Sequence, residues 1–189
     1  MKIFTSDLHH EHKKIVEFTN RKLVTTQEEH TDWLRDTWNR QVQNSDLVFH
    51  LGDFSFSKDY NAILEFVKSL KGQKIFIKGN HCDSKILTRL VQDNAIAKWC
   101  HYDSTKIAGQ HVCLFHFPIA CWDRQGYGSW HLSGHSHGGY KGDGKYLDVG
   151  IDNAYNVFGE HKFFTEEDIA EYMQQRAKVV KDNHADRTN

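Results

Sequence analysis

Residues 47–80 read LVFHLGDFSFSKDYNAILEFVKSLKGQKIFIKGN, and the pattern of this stretch decides the fold class. Leu47 to Leu51 is a continuous β-prone run stopped by Gly52-Asp53, as expected of a strand buried on both faces. Ile63, Leu64, Phe66, Val67 and Leu70 then recur at helical spacing, predicting a helix over Tyr60–Leu70. Lys74 to Lys78 is the next strand, stopped by Gly79-Asn80. Strand, helix and strand in sequence are the unit from which parallel sheets are built.

The same alternation extends outward. Lys2 to Ser6 is a short β-like start, and Trp33, Leu34, Trp38 and Val42 give Thr25–Val42 the spacing of an amphipathic helix whose apolar stripe is core. A weaker helix covers Ser84 to Val91. From Ile96 to Val149 the pattern changes to β-prone pieces, Lys98–Ile107, His111–Phe115, Trp130–Leu132 and Tyr146–Val149, separated by glycine-rich turns. A last helix starts at Thr165, where Thr-Glu-Glu-Asp resembles a capping box, and runs through Ile169, Tyr172 and Met173 toward Val180. Residues 181–189 read as a frayed tail. Without a repeat or linker, residues 1–180 are expected to form one domain, an α/β sandwich with more than one sheet.

Composition narrows the function. The 189 residues are 39% hydrophobic, 13% aromatic and 26% charged with one proline, an ordinary globular balance. A net charge of -1 offers no basic footprint for an extended nucleic-acid surface. No apolar run approaches the roughly 18 residues of a membrane span, and the opening Met1-Lys2-Ile3-Phe4-Thr5-Ser6-Asp7 reaches an acid before a signal peptide could develop, so the cytoplasm is the expected compartment. The four cysteines form no C-x-x-C pair and are expected to be reduced thiols. The count that does not fit is histidine, at fourteen, the residue type of metal ligation and of proton transfer near neutral pH.

Several of these histidines stand with carboxylates just past predicted strands. Asp7 and His9 follow the first, Asp53 the second, Asn80 and His81 the third, and His116 closes Val112–Phe115. His135 and His137 lie in Gly134-His135-Ser136-His137. Taken as extended segments, Asp7 with His9 and His135 with His137 project to one face and can close on one ion. Ligands of open α/β sheets bind in the crevice beyond the strand ends, where these residues would converge. Singly, each Gly-Asp or Gly-Asn is a common turn, and His116 a common core histidine. The order along the chain is the specific signal.

Asp7-Leu8-His9, Gly52-Asp53, Gly79-Asn80-His81, Phe115-His116 and Gly134-His135-Ser136-His137, in that order, closely resemble the five motif blocks of the calcineurin-like metallophosphoesterase superfamily. Asn20-Arg21, Trp38-Asn39-Arg40 and His50–Phe54 resemble its small cap-less bacterial and phage members. The resemblance implies an αββα sandwich, two β-sheets flanked by helices. It implies two divalent transition-metal ions, Mn²⁺ foremost with Fe, Ni²⁺ or Zn²⁺ as alternatives. Asp7, His9, Asp53 and His137 would surround one ion, and Asp53, Asn80, His116 and His135 the other, with Asp53 shared. The mixed carboxylate, amide and imidazole donors suit those metals better than Ca²⁺ or Mg²⁺.

The implied activity is hydrolysis of a phosphodiester, or less readily a phosphomonoester, by a metal-bridging hydroxide, with His81 as general acid and a small phosphate ester or nucleotide-type molecule as substrate. The alternatives are a nuclease and a catalytically inactive protein-binding scaffold of the same fold. The chain departs from the family beside His81, where an acidic residue commonly follows: position 82 is Cys, and the acid comes one later as Asp83. His10, His12, His50 and His131 are either supports of the ligands or surface groups, with His12 nearest to function. Arg21 and Arg40 either reach a phosphate or form salt bridges, and His30, His101, His111, His161 and His184 have no role. The sequence leaves the oligomeric state open.

Overall fold

A computed structural model describes residues 1–19, 21, 24–179 and 181. The chain runs β1 (Lys2–Thr5), α1 (Ile15–Phe18), α2 (Gln27–Gln41), β2 (Leu47–His50), α3 (Tyr60–Ser69), β3 (Gln73–Ile77), α4 (Ser84–Gln92) and β4 (Lys98–Cys100). It continues through β5 (Tyr102–Ile107), β6 (Gln110–Phe115), β7 (Trp130–Ser133), β8 (Tyr146–Asp148), α5 (Ile151–Phe158), β9 (Phe164–Thr165) and α6 (Glu166–Gln174). These elements form an α/β fold of two mixed sheets flanked by helices. The first sheet has the order β4-β3-β2-β1-β9, parallel except for β9, which runs antiparallel to β1. The second has the order β5-β6-β7-β8, an antiparallel β5–β6 hairpin followed by parallel β7 and β8.

Alternation along the strands separates two cores. Ile3, Val48 and Phe76 face one cluster while their neighbours Phe4, Phe49 and Ile77 face the other, because successive strand side chains point to opposite faces. Leu34 and Trp38 of α2, Ile63, Phe66 and Val67 of α3, and Leu87 and Leu90 of α4 complete the first cluster. Val112 and Leu114 of β6, Trp130 and Leu132 of β7, and Leu147 of β8 share the second cluster with Phe4, Phe49 and Ile77, so the two sheets bury apolar faces in a common core. Ile169 and Met173 of α6 close its side.

The predicted helices over Tyr60–Leu70 and Ser84–Val91 form within a residue of their expected ends, and α2 is bounded by a capping box at Thr26 and Glu29. The Thr165 box also forms, with Asp168 in the acidic position. Helix α6 ends at Gln174, short of the expected Val180, which lies outside the described residues together with 182–189 of the proposed tail. Lys98–Ile107 is not one strand. Residues 98–100 pair with β3 and 102–107 with β6, so the chain changes sheets at His101. A continuous β-prone pattern carries no mark of where a chain leaves one partner for another. The short α1, β9 and helix α5 were not anticipated.

No described helix is long and apolar enough to cross a membrane. Because β1, β2 and β3 are mutually parallel, as are β6, β7 and β8, the loops beyond each set leave from one end. Those ends meet: Ser6 forms an isolated parallel bridge with Gly150, beyond β8, and the Ile151 N–H donates to the Ser6 carbonyl at 3.3 Å.

Candidate metal centre

Two clusters form at this junction. Asp7, His9 and His137 each direct a ligand atom into one, and Asp53, His116 and His135 into the other, with the atoms of each cluster within 4.8 Å of one another. Asn80 joins the second through its Oδ1, 2.9 Å from His116 Nε2. The clusters adjoin, since the His135 N–H donates to Asp7 Oδ2 at 2.8 Å. All seven predicted ligand positions therefore converge. Asp53 sits with the second group rather than closing the first.

The route to convergence differs from the expected one. Asp7, His9, Asp53, His135 and His137 are not extended: their φ values are +57°, +52°, +55°, +69° and +48°. Left-handed backbone costs an L-residue on the order of 1 kcal/mol, and such strain concentrates at functional sites held by their surroundings. Here the turns are tied together. Asp7 N–H donates to the Gly52 carbonyl (3.0 Å), His9 N–H to Asp53 (3.0 Å), His10 N–H to Phe54 (2.9 Å) and Phe56 N–H back to His10 (2.8 Å). Close approach also explains two glycines. A Cβ on Gly79 would collide with the Asp53 carboxylate and backbone, and one on Gly134 with the side chains of Ser6 and Asp7.

The donor chemistry leaves a positive charge missing. His116 Nδ1 lies 2.7 Å from the Leu51 carbonyl, which assigns the proton to that nitrogen and a lone pair to Nε2 in the neutral ring. That Nε2 faces two further acceptors, Asn80 Oδ1 at 2.9 Å and Asp53 Oδ2 at 3.4 Å. His137 repeats the arrangement: its Nδ1 is 2.7 Å from Asp152 Oδ2, while its Nε2 stands 3.2 Å from His9 Nε2. Asp7 Oδ1 and His9 Nδ1 are buried with no hydrogen-bond partner among the described residues. Lone pairs converging on one point and an orphaned carboxylate oxygen fit a bound cation.

Ionisation in the protein alone shows the same deficit. Burial pushes the Asp7 carboxyl up to about 7, and burial with the facing His137 takes the His9 imidazole down to about 2. Burial would raise Asp53 too, but the hydrogen bond and charge of His116 outweigh it and hold Asp53 at about 2. Burial likewise acts to lower His116, and its bond to Asp53 reverses that into a raised value. His116 acts as a substitute countercharge for Asp53.

Behind the clusters lies a support that sequence reasoning missed in part. Arg21 is fully buried and uses its whole guanidinium: Nε and Nη2 donate to the two Asp152 oxygens at 2.9 and 2.8 Å, and Nη1 and Nη2 to the Leu8 and Asp7 carbonyls at 2.6 Å each. Nη1 also lies 3.1 Å from His30 Nε2. Arg21 thus forms the buried ion pair rather than a phosphate contact, and through Asp152 it orients His137. Asp152 sits in α5, a helix without a clear sequence signal, and so escaped notice. Asp148 escaped too: its Oδ2 accepts from Ser136 Oγ (2.6 Å) and Gly138 N (3.0 Å), fixing the His135–His137 turn.

The remaining histidines divide clearly. His10 stacks on Phe66 with ring centroids 4.0 Å apart, and His131 is buried under the loop after His116. His50 lies in the core between Phe54 and Phe76. Of these, His12 approaches the site, 5.7 Å from His9 between ring centroids. His111 pairs with Asp123 at 3.1 Å, and His184 and Asn20 lie outside the described residues. Arg40 is exposed in the last turn of α2. Asn39 binds Ser69 O and Lys71 N, tying α2 to the loop before β3. His81 stands exposed at the rim, its N–H donating to Asp53 Oδ1 at 2.9 Å. Asp83 accepts from Lys85 N as the N-cap of α4 and makes no hydrogen bond to His81.

Comparison with known proteins adds the fold and little chemistry. The chain is similar to the crystal structure of AQ665, a protein of unknown function from Aquifex aeolicus, at a TM-score of 0.67 and 20% identity, covering 91% of this chain and 98% of that one. It is 27% identical over 133 residues to the uncharacterized protein MJ1445 of Methanocaldococcus jannaschii, and 32% identical over 130 residues to the gene 66 protein of Mycobacterium phage L5. These alignments cover 70% and 61% of this chain and 66% and 62% of the relatives, so the chain spans less than two thirds of either relative's length. No family model matches.

Proposed function

We propose that this protein is a two-metal phosphoesterase of the calcineurin-like type, with the corresponding αββα sandwich, acting on a phosphodiester in preference to a phosphomonoester. The observation that carries the reading is the pair of adjoining clusters, Asp7, His9 and His137 beside Asp53, His116 and His135, whose ligand atoms lie within 4.8 Å of one another in each group while Asp7 Oδ1 is left buried without a hydrogen-bond partner among the described residues. Asp7, His9 and His137 would hold one ion and Asp53, Asn80, His116 and His135 the other, and Mn²⁺ is the first candidate from the mixed donor set. When bound, such ions act as Lewis acids, acidifying a water and neutralising phosphate charge.

The chain's own residues supply the rest. The Gly52–Phe56 and Asp7–His10 turns, bonded to each other, keep the carboxylates and imidazoles from relaxing outward. His116 and His137 present Nε2 inward because Leu51 O and Asp152 fix their opposite nitrogens. As water adds to phosphorus and gives up a proton to the solvent, the bond to the leaving oxygen breaks and that oxygen takes a proton from the His81 ring, giving the alcohol and a phosphate monoester; the solvent then returns a proton to His81.

The test is metal analysis of untagged protein together with hydrolysis of bis-p-nitrophenyl phosphate and p-nitrophenyl phosphate after addition of Mn²⁺, Ni²⁺ or Zn²⁺. At least one tightly held ion per chain and metal-dependent turnover are expected. Asp53→Ala should lose both, and His81→Ala should keep the metal and lose turnover. Absence of both metal and hydrolysis from the folded wild type refutes the reading.

A further inference from the structure

Nothing polar orients the ring of His81. Its backbone is anchored to Asp53 Oδ1, but among the described residues its imidazole nitrogens have no hydrogen-bond partner. The neighbouring acid, Asp83, is committed to the α4 N-cap, and the intervening residue is Cys82, whose Sγ lies 3.9 Å from Asp53. A group that must hand a proton to a departing oxygen still needs a fixed direction.

An aromatic ring packs against His81 instead. Phe56 lies with its centroid 4.4 Å from that of His81 and the planes tilted by 36°. The same ring is 5.0 Å from His9 and 4.2 Å from His12, edge to face with the latter. Phe56 therefore packs against both His9, a candidate ligand, and the rim histidine His81. Its own position is set by the ligand-bearing turns: Phe56 N–H donates to the His10 carbonyl at 2.8 Å, and Ser55 pairs with His10 in an isolated bridge.

We infer that Phe56 is a positioning residue for His81, holding the imidazole toward the leaving oxygen by ring packing where a carboxylate hydrogen bond is absent. This rests on the phosphoesterase reading of the site. Ring packing fixes orientation without adding negative charge beside the clusters.

The consequences separate positioning from mere support of the fold. Phe56→Leu should lower kcat about 10- to 100-fold with KM unchanged, and Phe56→Tyr should stay near wild type. The loss should be greater for phenyl than for p-nitrophenyl esters, since the less acidic leaving oxygen depends more on the donated proton. In a His81→Ala background Phe56→Leu should cost nothing further. Independently of activity, the His81 ring proton resonances of the metal-free protein, assigned by their loss in His81→Ala, should shift in Phe56→Leu as the aromatic ring current is removed. Unmoved resonances, or an equal kcat loss with and without His81, overturn the inference. A wild type without hydrolysis defeats the reading of the site instead, and the resonance comparison still decides whether Phe56 fixes the ring.

Discussion

Replacing Arg21 by Met tests whether the centre is held from behind. The substitution keeps most of the side-chain volume and removes four donated bonds of 2.6 to 2.9 Å, two to Asp152 and two to the Asp7 and Leu8 carbonyls. Asp152 is then a buried carboxylate whose one remaining ionisable partner among the described residues is His137, and opening a buried ion pair on one side costs about 3–5 kcal/mol. Against the roughly 5–15 kcal/mol of a typical domain that is a large fraction. At about 2–4 °C per kcal/mol for a chain of this size, the melting temperature should fall by roughly 6–20 °C. Adding Asp152→Asn removes the stranded charge, so the double variant should lose at least about 1 kcal/mol less than the two single losses together. Because Asp152 also orients His137, either single variant should weaken Mn²⁺ binding by about 10- to 100-fold. Denaturant unfolding of the metal-free proteins and calorimetric metal titration measure these effects. If Arg21→Met costs less than about 1 kcal/mol and binds Mn²⁺ like wild type, the network is ornamental and the reasoning fails.

The other predictions concern the core, the turns and the ion. His50 is fully buried with neither ring nitrogen partnered among the described residues, and burial lowers it to about 3. Since the folded value lies below the unfolded one of 6.5, the stability it allows is complete above pH 6.5 and is lost as pH falls from there toward 3. His50→Leu should therefore gain on wild type by up to about 1.4 kcal/mol per pH unit across that window; a gap that does not change with pH in unfolding titrations contradicts it. Gly79→Ala should abolish metal binding and cost about 1–3 kcal/mol, because its Cβ meets Asp53; an unaltered metal titration would show the turn to be slack. Mn²⁺ at 100 times its dissociation constant should stabilise the fold by about 2.7 kcal/mol, visible as a rise of roughly 5–11 °C in melting temperature.

Much of the molecule was legible in residue order alone. Hydrophobic period separated the helices of residues 27–92 from the strands because an amphipathic helix and a buried strand repeat differently, and β2 and β3 each ended two residues before the glycine that announced it. The seven candidate ligand positions were marked out by the order of the motifs and their resemblance to a known family, and they converge because each follows a strand and parallel strands deliver their ends to one edge. Geometry within those turns was not. Asp7-Leu8-His9 and His135-Ser136-His137 read as extended pairs, and only long-range bonds to Gly52, Asp53 and Asp148 stabilise left-handed backbone there.

The sequence by itself determined the fold class, the two-sheet plan and which polar residues could gather at the strand ends, because those depend on local period and chain order. The tertiary structure decided which histidines, among the described residues, reach the candidate site. His50, His10 and His131 carry the same chemistry as His116 and His137 but are turned into the core, and no local pattern distinguishes them. It also decided the contacts of Arg21, Asp152 and Phe56, whose partners are not their neighbours along the chain. Hydrogen bonds and ring contacts of that range exist only after the two sheets have met, and their meeting turns separate strand-end residues into one site.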